Sequence, residues 1–385
     1  MHRRHVAAAL ALATLAAAFL ALPGLAASGQ ASHGYIVVLK DSVTNVDTVV
    51  VDQSRRSGAR ANAVFRHALK GYAAVLTDAQ LAGVRADARV AYVEPDLEMQ
   101  ALTTQTGATW GLDRIDQRSL PLSGTFTYTR TGSGVTAYVI DTGIRFDHSE
   151  FGARAISGYD AVNGGSADDC NGHGTHVAGT IGGSTYGVAK SVTLVGVRVL
   201  GCSGSGSTSG VIAGIDWVTG NHAAGQPAVA NMSLGGGTSS ALDTAVNNSI
   251  NDGVSYAIAA GNGNAFGIAQ NACNYSPARV AAAMTISATD STDRKASWAN
   301  YGDCVDWFAP GVSITSAWHK RGTSTKTISG TSMATPHTAG VAALYLEGSP
   351  SASPAAVRSA LSNDTTKGIV SSSSTTNNHL LFTNW

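Results

Sequence analysis

SGTSMATPHTAGVAALYL, Ser329 to Leu346, sets one serine, Ser332, at the point where a helix should begin. Gly330 and Thr331 ahead of it permit a sharp backbone turn, and behind it an Ala, Val and Leu pattern of helical period runs to Gly348. Free backbone N–H groups and the positive end of the helix dipole gather at such a position, so negative charge developing on a bound carbonyl oxygen would be stabilised there. The position suits a nucleophile.

A serine hydroxyl is nearly inert at neutral pH unless a positioned base takes its proton, and the base works best when a third group orients it. GHGTHVAGTIGG, Gly172 to Gly183, offers His173 in a glycine-flanked loop entering a second small-residue helix. VTAYVIDTGI, Val135 to Ile144, is an apolar, β-branched run that places the carboxylate of Asp141 at the C-terminal end of a buried strand. His173 is the candidate base and Asp141 the candidate orienting acid.

DTG, HGTHVAG and GTSMATPHTAG, in the order Asp, His, Ser, resemble the three signatures of the subtilisin family of serine proteases. Three motifs of several fixed positions each are far more specific than any one alone. WGLDRIDQ, Trp110 to Gln117, and the cysteine positions resemble the proteinase K branch, especially its aqualysin-like members. The resemblance covers the chain from about residue 34 onward.

The 385 residues allow two or three units, and 25 basic residues balance 25 acidic ones, so charge implies no nucleic-acid or membrane-surface partner. With 44 glycines and only 13% charged residues, many tight turns and a large buried fraction are expected. Residues 1–27 carry Arg3, Arg4 and His5, then an Ala and Leu run, then Pro23 and small residues, which reads as a secretory signal and predicts an extracellular location. The alternative is a transmembrane anchor over Val6 to Leu22, a run marginal in length. Export gives the four cysteines meaning: they permit three pairings, and the resemblance favours Cys170 with Cys202 and Cys273 with Cys304. Absence of CxxC spacing argues against metal binding by these cysteines.

Residues 28–102 read as a small α+β unit: GYIVVLK as a strand, Thr44 to Gly58 as a helix, FRHALKGYAAVL as two strands and VAYVEPDLEMQ as another. The unit resembles the ferredoxin-like, inhibitor-type propeptide of the family, which implies a zymogen whose own propeptide is an intramolecular inhibitor; a freestanding binding domain is the alternative. The resemblance starts the mature chain at Thr103, seven residues before Trp110, leaving Leu102 on the acyl side within a window from Glu98 to Thr104.

Residues 103–385 alternate strand-like runs, at Thr136–Ile140, Thr193–Val199, Ala228–Met232, Val254–Ala259 and Met284–Ala288, with helical ones such as Ser209–Asn221 and Ala241–Asn251. This predicts a three-layer α/β domain, subtilisin-like by resemblance, with a mostly parallel sheet and ligands bound outside the carboxyl ends of its strands. ANMSLGGG ends a strand at Ser233, Leu234 and Gly235, where a substrate backbone can approach and pair edge to edge. Ser203, Gly204 and Ser205 are the candidate opposite edge. AIAAGNGN presents Asn262 after a strand, and its side-chain amide is the candidate oxyanion donor beside the Ser332 N–H. Neither wall carries an acidic residue, so an apolar or aromatic side chain is expected before the cut.

The side chains of Asp113, Asp116, Gln117 and Ser123 supply the oxygen inventory of a calcium site, and by resemblance aqualysin-like members hold calcium there; helix capping and a surface salt bridge with Arg114 or Arg118 are the other reading. The resemblance adds a second site at Asp306 with the carbonyls of Ala281 and Ala283. The expectation is a secreted, monomeric, self-processing serine endopeptidase acting on protein and peptide substrates, with structural Ca2+ and no catalytic cofactor. A non-catalytic binding protein on the same scaffold and a metal-dependent hydrolase are the alternatives; for the latter, His173 and His176 lack the glutamate and the spacing of HExxH. His176 and His337 read as packing residues, and the sequon at Asn231 falls in an expected buried strand.

Overall fold

The structure, a computed structural model, describes residues 32–96 and 103–385. The signal-like segment and the junction at Leu102 lie outside the described residues. The chain divides into two compact units between positions 99 and 100.

The first unit runs β1 (Ser32–Leu39), α1 (Val46–Ser57), β2 (Ala61–Phe65), β3 (Gly71–Thr77), α2 (Asp78–Arg85) and β4 (Val90–Pro95). Asn45 starts α1 by accepting from the Thr48 N–H, and Thr77 and Gln80 close a reciprocal capping box on α2. The sheet order β2-β3-β1-β4 is that of the split βαβ, ferredoxin-like arrangement, with Val37, Val49, Tyr72, Leu76 and Val84 in its core. FRHALKGYAAVL divides differently from its sequence reading. Arg66 to Lys70 form the turn, and the first strand of the pair lies earlier, at Ala61–Phe65.

The second unit opens with β5 (Thr103–Thr106), α3 (Trp110–Ile115) and β6 (Thr125–Tyr128). It continues through β7 (Thr136–Asp141), β8 (Ala155–Asp160), α4 (His173–Gly182), β9 (Thr193–Arg198), α5 (Thr208–Asn221), β10 (Ala228–Met232), α6 (Ser240–Asp252), β11 (Ser255–Ala259) and β12 (Met284–Thr289). The last elements are β13 (Trp307–Pro310), β14 (Ile314–Ala317), β15 (Thr325–Ile328), α7 (Thr331–Gly348), α8 (Pro354–Asp364), β16 (Thr366–Lys367) and β17 (His379–Leu380). The main sheet has the order β16-β17-β13-β12-β11-β10-β7-β9-β8 and is parallel except for the β16–β17 pair.

Alternation along β7 shows how the layers form. Ala137 and Val139 face a core shared with Val177 and Ile181 of α4, Val341 and Leu344 of α7 and Leu361 of α8. Tyr138 and Ile140 face the opposite core, with Ile215 of α5 and Val246 of α6. A sheet covered on both faces requires continuously apolar central strands, and β7, β10 and β11 are buried along almost their whole length.

Sheet order then positions the site. β11, β10 and β7 are adjacent and parallel, so Asn262, Ser233 and Asp141, each at or just beyond a strand's C-terminal end, emerge side by side. One disulfide, Cys170–Cys202, ties loops at this edge, and Cys273–Cys304 joins the short turn at Ala272–Asn274 to the segment before β13. Cys170 precedes His173 by three positions, so the first bridge fixes the loop that carries the imidazole.

Candidate active site

Asp141 is fully buried, and its Oδ1 accepts from the Thr142 N–H at 2.7 Å and lies 2.7 Å from His173 Nδ1. That geometry assigns the proton to Nδ1 and leaves Nε2 of the 26%-exposed ring as the acceptor toward the cleft. Burial pulls the His173 pKa down, but the Asp141 carboxylate beside it, with Asp169 further off, more than offsets this and holds it above its ordinary value. Gly172, with φ 111°, turns the chain into α4 where a Cβ would strike the Trp318 and His319 rings.

Ser332 occupies the second residue of α7, where backbone N–H groups have no intrahelical partner. Pro336 lies four residues further on and cannot donate to the Ser332 carbonyl, which accepts instead from Ser233 Oγ at 2.9 Å. The Ser332 hydroxyl donates to the Ser233 carbonyl at 3.1 Å, so two hydrogen bonds run between this pair in opposite directions. Buried Asn231 donates to Ser233 Oγ at 2.9 Å, and its burial removes that sequon from consideration. Among the hydrogen bonds of the described residues, none joins Ser332 Oγ to His173.

Asn262 is oriented from α7. Its Oδ1 accepts from the Thr331 N–H at 2.8 Å and the Thr331 hydroxyl at 2.9 Å, which leaves the Nδ2 amide to face the cleft that Ser332 also lines. Asn300 fixes the loop behind it: Oδ1 accepts from the N–H groups of Gly263 and Gln270, and Nδ2 donates to the Ala260 carbonyl. A Cβ on Gly261, whose φ is 99°, would sit 2.5 Å from Asn300 Nδ2.

Two clefts meet at Ser233, Leu234 and Gly235. One, of about 380 Å³, lies between these residues and Gly204, Ser205, Gly206 and Ser207, with His173 at one end and Leu200, Val211 and Leu242 in its walls. Ser203 is outside that lining; its hydroxyl pairs with Ser205 Oγ, and Gly201 to Ser205 closes on itself as a turn rather than continuing as a strand. The other cleft, of about 350 Å³, is walled by Ala259 to Gly263, Tyr275, Ala278, Thr331 and Ser332 and has no ionisable carboxylate or cation in its lining.

The candidate calcium ligands behave differently at the two places. At the first, Asp113 accepts from Ser123 N and Oγ and from Gly124 N, and Asp116 Oδ2 accepts from Thr127 N. Asp116 Oδ1 is buried without a hydrogen-bond partner, and burial pushes that carboxyl up to about 6. Gln117 Nε2 donates to the Ser119 and Pro121 carbonyls, adding two backbone oxygens nearby. Two carboxylates, hydroxyl and carbonyl oxygens and one orphaned acceptor fit a hard cation. At the second, Asp306 is paired with the Arg358 guanidinium and accepts from Thr285 N at 2.7 Å. Ala281 lines the same hollow of about 100 Å³, whereas Ala283 is buried outside its lining. A cation already engages that carboxylate, so this arrangement does not fit calcium.

His176 and His337 bond to backbone carbonyls, of Ile314 and Lys326 and of Met333 respectively, and burial pushes each down to about 4. They are neutral packing residues. Thr142, Asp169, Asn231 and Asn300 support the site yet stood out from nothing in the sequence. Their roles are side-chain bonds to backbone groups and to other side chains, which leave no periodic pattern.

The model of the subtilase family matches residues 132–381, and that of peptidase inhibitor I9 matches residues 34–102. An extracellular serine proteinase of Thermus sp. strain Rt41A is 62% identical over 81% of this chain and 75% of its own length. Alkaline serine exoprotease A of Vibrio alginolyticus is 56% identical over 84% of this chain, which spans 60% of that relative. The crystal structure of a cold adapted subtilisin-like serine proteinase superposes with a TM-score of 0.69 at 56% identity, covering 72% of this chain and 98% of the other.

The Asp141–His173 contact can be read directly. In protein labelled with isotopic histidine, the His173 ring resonance should titrate with a midpoint above the ordinary 6.5. Asp141→Asn should move the midpoint down, and an unmoved midpoint would contradict the ion-pair account.

Proposed function

We propose, from the premise that this chain belongs to the subtilase family of serine proteinases, that Ser332, His173, Asp141 and Asn262 carry out peptide-bond hydrolysis. The observation that supports this best is the Asp141–His173 bond of 2.7 Å beside a serine at a helix N-terminus. Ser332 Oγ leaves the Ser233 carbonyl and attacks the substrate carbonyl while His173 Nε2 takes its proton. Asp141 holds the Nδ1–H tautomer and stabilises the imidazolium that forms. The oxyanion is held by Asn262 Nδ2 and the Ser332 N–H, both pre-oriented in a partly buried site where such donors act strongly. His173 then returns the proton to the leaving amine, and a water molecule, deprotonated by the same imidazole, releases the acid.

The cleft beside Ser332 carries no carboxylate to pair with Lys or Arg, and this favours an apolar or aromatic residue before the cut. The flanking segments at Ser233–Gly235 and Gly204–Ser207 would hold the substrate through its main chain, which makes selectivity broad. The enzyme is secreted and is made as a zymogen with an I9-type propeptide. Within it we assign residues 1–27 to the signal, 28–102 to the propeptide, with Leu102 as the residue released on the acyl side, and 103–385 to the protease. Among the described residues no helix is long and apolar enough to cross a membrane.

Calcium, where bound, would be held by Asp113, Asp116, Gln117, Ser123 and the neighbouring carbonyls, and would neutralise the carboxylates of buried Asp113 and half-buried Asp116 on α3 and at its end; the chemistry at Ser332 does not involve it. Calorimetric titration of chelator-treated protein with Ca2+ should show one binding event fewer in Asp116→Asn than in wild type. Equal counts would remove Asp116 from the ligands.

The function itself is tested by intact mass of wild type and Ser332→Ala, each purified from a protease-deficient host without the signal. Wild type split near Leu102 beside an unsplit variant is the expected result. Splitting of both alike would place maturation with another protease, and turnover retained by the variant would remove Ser332 as nucleophile.

A further inference from the structure

Asp169 lies in the loop before His173, half-buried, and its carboxylate is engaged on both oxygens. Oδ1 accepts from the Thr142 hydroxyl at 3.0 Å, the Asn171 N–H at 2.9 Å and the Gly172 N–H at 2.8 Å. Oδ2 accepts from the Thr175 N–H at 3.0 Å and the Thr175 hydroxyl at 2.6 Å. No cation pairs with it within salt-bridge distance among the described residues. Five neutral donors satisfy the charge, each strengthened by it.

The donors fall on two segments. Thr142 follows Asp141 at the end of β7, and its hydroxyl also accepts from the Gly174 N–H at 2.9 Å. Asn171, Gly172 and Thr175 bracket His173. A single carboxylate therefore spans the strand end that carries Asp141 and the loop that carries His173. The Thr175 hydroxyl in turn accepts from Arg145 N, extending the tie back along the β7 loop.

We propose that Asp169 is a positioning residue for the hydrolysis: it fixes the Asp141–His173 register from outside the reacting groups, and its charge adds to the field that favours the imidazolium formed during attack. This rests on the assignment of His173 as general base. A full acyl-transfer step needs the ring within a fraction of an ångström of its place, and small misplacements cost rate rather than substrate affinity.

The charged and titratable groups around the ring are Asp141 from β7, Asp169 from its own loop and His176 further along α4. His319 of the β14–β15 hairpin packs against Gly172 and is held below its usual pKa by burial. Asp141 and Asp169 are the anions that favour the protonated ring. Removing the second lowers the His173 pKa and so extends activity toward acid.

The full chain with Asp169→Ala and with Asp169→Asn is compared with wild type and Ser332→Ala on a peptide substrate across pH. Asp169→Ala should lose about ten- to a hundredfold in kcat with KM within about twofold. Asp169→Asn, which keeps the side-chain shape and one acceptor oxygen, should recover part of that loss. In both, the acid limb of kcat/KM should move to lower pH, which a merely structural role would not produce. Where a variant folds but fails to mature, slower self-cleavage of the folded precursor is the same loss read earlier. Unchanged kcat, a fall in kcat with an unmoved acid limb, or precursors unfolded in both variants would overturn the proposal. Wild-type turnover that does not depend on Ser332 would instead overturn the assignment of the nucleophile.

Discussion

The hydrogen bond between buried Asp141 and half-exposed His173 is the constraint that the rest of the protease unit serves. A carboxylate with no exposed surface has lost its hydration, and at Asp141 the Thr142 N–H and the His173 ring meet Oδ1 alone, leaving Oδ2 without a hydrogen-bond partner among the described residues. Placing it at the end of β7, in the middle of a sheet covered by helices on both faces, supplies the burial. The cost of that burial falls on Asp141, and the benefit appears at Nε2 of the imidazole, on the open side of the ring.

Around this bond the fold uses rigid parts to hold short irregular ones. Adjacent parallel strands deliver Asp141, Ser233 and Asn262 to one edge, and α7 delivers Ser332 against them. The loops between are then fixed by polar side chains that turn inward to backbone groups. Asn300 braces the Asn262 loop, Asn231 and Ser233 brace the start of α7, and Asp169 braces the His173 loop. The disulfide Cys170–Cys202 adds a covalent tie on the outer side, with the Arg198 guanidinium against its sulfurs and paired with Asp160 beneath. Reacting groups held in this way lose little entropy on reaching the transition state.

Much of this was legible because it is local or periodic. The helix from Thr331 to Gly348 follows from glycine and small-residue spacing, and the central strands from short apolar runs. Edge elements were harder to read. β8, with its sequence AISGYD, exposes Ile156 and carries a glycine, so it lacks both the alternation and the continuous apolar run that mark a strand. The β14–β15 hairpin is short and rich in threonine, and its place against α4 comes from packing and from the bonds of His176 to the Ile314 and Lys326 carbonyls, neither of which leaves a sequence pattern. The turn from Gly201 to Ser205 differs from the expected edge because Gly204 adopts φ 80° and the loop satisfies its own hydrogen bonds. The expectation of Asp306 as a ligand rests on resemblance alone, and the pairing of its carboxylate with Arg358, on a helix far along the chain, is not visible in the sequence.

The most direct measurement is where, and how fast, a fluorophosphonate attaches, followed by peptide mass mapping of wild type and Asp141→Asn. Modification confined to Ser332 and slowed by orders of magnitude in Asp141→Asn is the result this account predicts. A label on another residue, or an Asp141→Asn variant labelled at the wild-type rate, would contradict it.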